Sequence, residues 1–307
     1  MKGGIKKSEI RKDYFLDKYT IITPGRSQRP RDIVIKEEAV KDISCPLCDP
    51  ATIRRALNII HLKNDKIITV KNIFPAVSLD NPAAYGTQEV IIETKKHQLK
   101  ISDMSVEHIE AILKMFAHRT ERLSHNKKIN YILCFKNYGS NAGASIAHQH
   151  SQIFATEILP PEVERELLAA KQFQNEHHIC PYCQIIKKEL KSPRLIMADK
   201  NIIALAPYAS QYHYEAWILP KRHLDNITDL SKLELKSCAQ ALKHILGKIE
   251  VLGLAYNFFL HQIVSDHDQH FFIKIEPRTA IWAGVELGSG LVINSVSPEA
   301  AASYYKK

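Results

Sequence analysis

The chain has 307 residues, 45% hydrophobic and 24% charged, the balance of a globular protein with one large core or two closely joined ones. No window approaches the ~18 apolar residues of a membrane helix, and the charged opening Met1–Asp13 lacks the apolar stretch of a secretory signal, so no membrane partner is expected and the compartment is read as cytoplasmic. The net charge of +9 favours anionic partners, but Lys and Arg are spread along the chain and form no clustered face of the kind a nucleic acid needs.

Among six cysteines, the first to appear are the CxxC pair Cys45/Cys48. A short apolar strand follows in Glu89–Glu93, then a basic turn ending at His97, and a helix capped by Ser105 with Ile109, Ile112, Leu113 and Phe116 on one stripe. Asn130–Phe135 reads as a strand, a Gly/Ser-rich loop comes next, and Gln149–Ala155 reads as another strand. Leu159-Pro-Pro-Glu162 breaks regular structure. The pattern then repeats: Cys180/Cys183, the strand and basic turn Glu215–His223, a helix with the capping box Ser231/Glu234, and strands at Tyr256–Leu260 and His270–Ile275. Cys45 to Cys180, His97 to His223 and His148 to His270 are displaced by 135, 126 and 122 residues, regular enough for a duplication with small deletions. The expectation is an α+β fold of two similar repeats, 1–160 and 161–307, with mostly antiparallel sheet.

Each repeat supplies Cys, Cys, His, His: Cys45, Cys48, His97 and His148 in the first, Cys180, Cys183, His223 and His270 in the second. In a chain without a secretion signal, CxxC pairs point to metal before disulfides. Two thiolates with two imidazoles suit tetrahedral Zn(II), and four protein ligands leave no open position, so both sites are read as structural. Cys134 and Cys238 lie among apolar residues and read as core.

The most informative stretch is Phe135–Ala155. Gly139 and Gly143 permit close backbone approach, and the loop through Asn137, Ala144 and Ser145 offers donors to an anion. His148, His150 and Gln152 then alternate as on one face of a strand. An imidazole nitrogen is a competent nucleophile at phosphorus, and a carboxamide such as Gln152 can hydrogen-bond a phosphoryl oxygen as charge develops.

The stretch Asn137-x-Gly139…Gly143-x-Ser145-x-x-His148-x-His150-x-Gln152 resembles the signature of the galactose-1-phosphate uridylyltransferase family, in the histidine-triad superfamily, and the resemblance extends over nearly the whole chain. It implies a two-repeat histidine-triad-like fold, a homodimer, and a ping-pong mechanism through the second histidine of the motif, His150, with the first, His148, a zinc ligand. It places phosphate-contacting arginines at Arg26 and Arg29, a nucleoside-contacting asparagine at Asn72, phosphate contacts at Asn137, Gly143, Ala144 and Ser145, and sugar contacts at Gly284 and Glu286. The chain departs from the family pattern at Gln149 (usually Pro), at Ala144 (often Cys) and at Phe272, where the second repeat usually keeps a histidine; His267 is out of register and reads as surface. The second repeat is therefore expected to be silent, contributing fold, metal and part of the sugar pocket.

The leading reading is an enzyme, a UDP-glucose–hexose-1-phosphate uridylyltransferase that takes a UDP-sugar or other nucleoside-diphosphate sugar and a hexose-1-phosphate. A nucleoside-diphosphate-sugar (ADP-glucose) or dinucleoside-polyphosphate phosphorylase would use the same His150 but pass the nucleotide to inorganic phosphate. Ser151 after His150 is compatible with either. A zinc-stabilised nucleic-acid-binding protein is a third reading, disfavoured because mere binding needs no nucleophile motif.

Overall fold

The computed structural model describes residues 7–28, 45–49, 60–61, 67–264, 269–279 and 281–307. The chain opens with strands β1 (Glu9–Lys12) and β2 (Tyr19–Ile22) and a short 3-10 turn at Pro24–Gln28. The first repeat supplies β3 (Ile60–His61), β4 (Ile68–Lys71), β5 (Gly86–Ile92), helix α1 (Val106–Ser124), β6 (Tyr131–Tyr138) and β7 (His150–Thr156). Helices α2 (Pro161–His177) and α3 (Pro181–Glu189) lead into β8 (Leu195–Ala198), β9 (Ile202–Leu205), β10 (Ala216–Pro220), α4 (Lys232–Val251), β11 (Ala255–His261) and β12 (Phe272–Arg278). The tail forms α5 (Gly284–Ser289), β13 (Val292–Asn294) and α6 (Pro298–Lys306).

Ten strands make one antiparallel sheet in the order β3-β4-β5-β7-β6-β11-β12-β10-β9-β8. Read from the two edges inward, each half lists the same elements, so the expected duplication is seen as a mirrored strand order. The two halves join at β6–β11, where Phe135 faces Phe259. Phe135 lies opposite Gln152 on β7, and Phe259 opposite Lys274 on β12, so each phenylalanine is the other's equivalent and the pseudo-twofold axis passes through their pair. A smaller sheet, β1-β2-β13, ties the N-terminal segment to the tail through a parallel β2–β13 pair.

The helices form where their stripes and caps predict. Ser105 accepts the His108 N–H to start α1, and Ser231 and Glu234 close a capping box on α4. Both helices lie on one face of the sheet, where Ile109, Ile112 and Phe116 of α1 and Leu242, Ile245 and Ile249 of α4 bury into a single core with Ile153, Ile218 and Ile273. That core also takes Cys134 and Cys238, both fully buried. The opposite face differs between the halves. Over the second repeat it is closed by Tyr14, Phe15, Tyr182, Trp217 and Phe272. Over the first, among the described residues, it carries a small apolar patch, Ile68, Val70 and Ile92 with Leu47 and Val90.

Arg119 of α1 reaches β5 and grips Glu89 with two hydrogen bonds, 2.7 and 2.5 Å, both side chains being buried. Breaking such a pair leaves one charge uncompensated in the core. Arg119→Met should lower unfolding free energy by about 3–5 kcal/mol in urea titration. Glu89→Leu added to it should recover much of the loss, whereas an additive second loss would mean the pair's charges do not compensate one another.

Candidate active site and metal clusters

Cys45 and Cys48 share a tight turn, with the Cys48 N–H donating to the Cys45 carbonyl at 3.0 Å. The Cys48 sulfur lies 3.3 Å from His97 Nδ1 and 3.2 Å from His148 Nδ1, and the Cys45 sulfur 3.7 Å from His148 Nδ1. In the second repeat Cys180 caps α3, and the Cys183 sulfur lies 3.5 Å from His223 Nδ1 and 3.6 Å from His270 Nδ1. Within each set the four donor atoms fall inside 4.8 Å of one another. The buried imidazoles are oriented alike: Nε2 of His148 meets the Thr94 carbonyl at 2.6 Å and Nε2 of His270 the Pro220 carbonyl at 2.9 Å. A carbonyl can only accept, so the ring proton sits on Nε2 and the Nδ1 lone pair turns toward the sulfurs. Both clusters can hold a metal ion through four protein ligands.

His150 opens β7 and is 7% exposed. Its Nδ1 lies 2.8 Å from the His148 carbonyl, which places the proton on Nδ1 and leaves the Nε2 lone pair free to attack. Burial pushes the imidazole below its ordinary 6.5; the His148 carbonyl opposes this and the Lys136 charge adds to it, so the ring is neutral at physiological pH. His148 itself precedes β7 and does not share its pleat, contrary to the expected run of three on one strand face. His150 and Gln152 border the apolar cavity, His148 and His150 the polar one, and the bend at His148 turns its Nδ1 to the cluster.

Two cavities meet at His150. One, about 310 Å³, is lined by apolar Leu47, Val70, Phe74, Val90 and Ile92, with Asn72, Ser145 and Gln152. The other, about 570 Å³, is more polar and includes Gln98, Lys100, Asn137, Gly139 and Gln149. The loop between β6 and β7 separates them. Its glycines are required: Gly139 has φ +83°, with Ala255 Cβ 2.8 Å from where a Cβ would stand, and Gly143 has φ +81°.

The expected site residues are brought together in part. Asn137, Ser145, His150, Gln152 and Asn72 border the two cavities. The N–H groups of Gly143 and Ala144 instead close the loop's own turns on the Ser140 and Gly139 carbonyls, at 2.9 and 3.2 Å, so neither amide faces an anion as expected. The Asn72 side-chain oxygen accepts the Phe74 N–H at 2.9 Å, leaving its NH₂ as the donor. Gly284 and Glu286 line neither cavity. Glu286 stands half-exposed at the start of α5, accepting the Ala283 N–H at 2.9 Å to cap its own helix. Burial raises its carboxyl pKa, but the N–H bonds of the helix start and the nearby Arg26 hold it below the usual range. Arg26 thus lies by the tail, exposed; Arg29 and His267 lie outside the described residues.

Sequence reasoning missed a buried network under His150. On the helix side of the sheet, Lys136 Nζ pairs with Glu93 at 2.7 Å and donates to the His150 carbonyl at 3.1 Å, while Ser151 hydroxyl donates to Glu93. Both charged groups are essentially inaccessible, and the network pins the backbone that carries the nucleophile. The signal was alternation: Lys136 occupies the inward phase of Ile132 and Cys134.

In the equivalent place of the second repeat, Phe272 packs against Trp217, Tyr182 and His261, with ring centroids 5.0, 5.2 and 4.4 Å away. One half therefore presents an imidazole where its two cavities meet, and the other an aromatic cluster beside a smaller cavity of about 220 Å³.

The duplicated sheet, with His150 where two cavities meet, is that of a histidine-triad nucleotidyltransferase. Residues 61–160 match the galactose-1-phosphate uridyl transferase N-terminal domain. An ADP-glucose phosphorylase from Arabidopsis thaliana is 29% identical, over 97% of this chain and 92% of that protein. A galactose-1-phosphate uridylyltransferase from Thermotoga maritima is 27% identical, over 96% of each. The crystal structure of an Arabidopsis thaliana ADP-glucose phosphorylase with bound ADP-glucose superposes with a TM-score of 0.86 at 29% identity, covering 98% of this chain and 99% of that one. Over nearly its whole length the chain is similar to these enzymes, and it is a nucleotidyltransferase. No helix among the described residues is long and apolar enough to cross a membrane.

NMR titration of His150 should give a midpoint below the ordinary 6.5 and show the neutral ring protonated on Nδ1. A midpoint above that value, or a proton on Nε2, would contradict this geometry.

Proposed function

We propose that the chain is a UDP-glucose–hexose-1-phosphate uridylyltransferase working by ping-pong through a nucleotidyl-His150 intermediate. The observation that carries this is the position of His150, its Nε2 lone pair unblocked, between an apolar cavity sized for a nucleoside and a polar cavity with Lys100. The Nε2 lone pair forms a bond to the α-phosphorus, the bond from that phosphorus to the bridging oxygen breaks, and hexose-1-phosphate leaves with that oxygen. A phosphate oxygen of the second sugar phosphate then attacks the same phosphorus, and the P–N bond returns its electrons to the imidazole. Gln152, through its NH₂, stabilises the charge that develops on the phosphoryl oxygens, with Asn137 and Ser145 beside it. Asn72 and the apolar wall hold the nucleoside.

Residues 1–160 form the catalytic unit and 161–307 the degenerate one in this reading. Zn(II) is the metal we assign to both clusters, where bound it would clip turn to strand and take no part in the chemistry. Paired thiols of this kind fit a cytoplasmic, reducing setting. Gly284 and Glu286 border neither cavity within one chain, and in this reading a second copy carries them to the sugar; Arg26 and Arg29 are its phosphate contacts. A homodimer is further supported by exposed apolar side chains on both surfaces concerned, Ile73 and Phe74 beside the nucleoside cavity and Ile281, Val285 and Leu287 on the tail.

The relative named ADP-glucose phosphorylase, aligned over 97% of this chain, favours a second reading in which inorganic phosphate empties the intermediate. Nucleotidyl-enzyme isolated after exposure to UDP-glucose or ADP-glucose, then offered galactose-1-phosphate or phosphate at equal concentration, separates them. Faster discharge by the sugar phosphate is expected; comparable or faster discharge by phosphate would replace the first reading with the second. His150→Ala should form no adduct in intact-mass analysis and remain folded. Cys45→Ser and Cys180→Ser should each lower bound metal and melting temperature; native protein devoid of metal would refute the zinc assignment.

A further inference from the structure

Gln88 belongs to none of the motifs above, yet it touches both the nucleoside loop and the amide expected to face phosphate. It lies on the cavity face of β5, two residues from Val90, which stands opposite Gln152 on β7. The Gln88 side-chain NH₂ donates to the Gln152 side-chain oxygen at 3.1 Å. Its own side-chain oxygen accepts the Ala76 N–H at 3.2 Å, and its backbone carbonyl accepts the Asn72 N–H at 2.9 Å.

These bonds define a direction. A backbone N–H can only donate, so Ala76 fixes the oxygen end of the Gln88 amide, and the NH₂ end must point to Gln152. Gln152 must then present its oxygen to Gln88, which turns its NH₂ away, toward the cavity it shares with His150. With the opposite flip, Gln152 would aim a carbonyl lone pair at phosphoryl oxygens and repel them.

The duplication preserves a partnership at these positions. Lys274 stands opposite Trp217 as Gln152 stands opposite Val90, so Lys274 and Glu215 are the second-repeat equivalents of Gln152 and Gln88. There the contact is ionic and longer, Lys274 Nζ lying 3.7 Å from the Glu215 carboxylate and 3.0 Å from that of Glu276. The position of His150 has changed to Phe272, while Lys274 and Glu215 remain an oppositely charged pair.

We infer that Gln88 is a positioning residue: it locks the Gln152 amide with its NH₂ toward the transferring phosphoryl group and couples that orientation to the loop of Asn72–Ala76 beside the nucleoside cavity. This rests on the reading of Gln152 as a phosphoryl donor. The test measures the single-turnover rate of nucleotidyl-enzyme formation from UDP-glucose or ADP-glucose, whichever forms the adduct, for Gln88→Glu and Gln88→Met, each alone and combined with Gln152→Ala. A carboxylate at 88 can only accept; Ala76 takes one oxygen and the Gln152 NH₂ is drawn to the other, away from phosphate. Gln88→Glu should therefore slow the step by tenfold or more, approaching the order of 10²-fold seen when an oxyanion donor is lost, with KM changed much less. Gln88→Met, which leaves the amide free to choose, should slow it only about threefold, a fraction of that donor loss. On the Gln152→Ala background, Gln88→Glu should lose most of its effect. Equal losses for Glu and Met, or a Gln88→Glu loss undiminished on that background, would overturn the inference, the latter marking a charge or folding effect. A Gln152→Ala enzyme transferring at the wild-type rate would remove the underlying reading, and the inference with it.

Discussion

The carbonyl of His148 accepts the Nδ1 proton of His150 at 2.8 Å, and the rest of the site depends on that bond. It settles the tautomer, and the tautomer decides whether a lone pair faces the cavity. The carbonyl can hold this place because its own residue is held from two further directions: the imidazole Nε2 is tied to Thr94 and its Nδ1 faces the cysteine sulfurs. From below, Lys136 fixes the His150 carbonyl. The cluster, the strand end and the buried ion pair thus converge on a few atoms of backbone. The cluster thereby bears on how the His150 ring is aimed, because distortion at His148 passes directly into the adjoining hydrogen bond.

The duplicated sheet shows what distinguishes its two copies. Both halves keep the cluster geometry to within small differences, with the histidine rings 5.2 Å apart and nearly perpendicular in each. What changes is the opposite face. In the second half the N-terminal segment lays Tyr14 and Phe15 against the cluster of Trp217 and Phe272, which leaves a cavity of about 220 Å³ bordered by Phe272, Glu215 and Lys274 and no imidazole at the position of His150. Burying these aromatic surfaces stabilises the chain.

Much of this was legible in the sequence, for identifiable reasons. CxxC pairs and spaced histidines are chemically restrictive, so both clusters could be named from spacing, and the caps at Ser105 and Ser231 follow from local rules. The strand assignments held to within a few residues, but His148 fell outside β7, and that shift changes its face. Residues whose role lies in cross-strand geometry were invisible. Gln88 has no spacing signature, and Glu93 and Lys136 are separated by 43 residues. The capping role of Glu286 was equally hidden, because helix capping is decided by a turn of backbone that composition does not specify.

Retention of the silent half follows from how the phosphate loop is held. Asn257 of β11 donates from one amide to the Asn137 side-chain oxygen and to the Ala142 carbonyl, both at 2.8 Å. Arg278 of β12 donates in turn to the Asn257 oxygen, which fixes that amide's orientation. Ala255 closes against Gly139 so tightly that no side chain fits. The loop that separates the two cavities therefore rests on the second repeat at its start and middle, while the first repeat holds its end through His148 and His150. A single repeat would leave Asn137 unoriented and Gly139 without a surface to pack on. The join at β6–β11 thus shapes the loop beside His150, and the second repeat also lines the polar cavity through Glu250, Leu254 and Ala255.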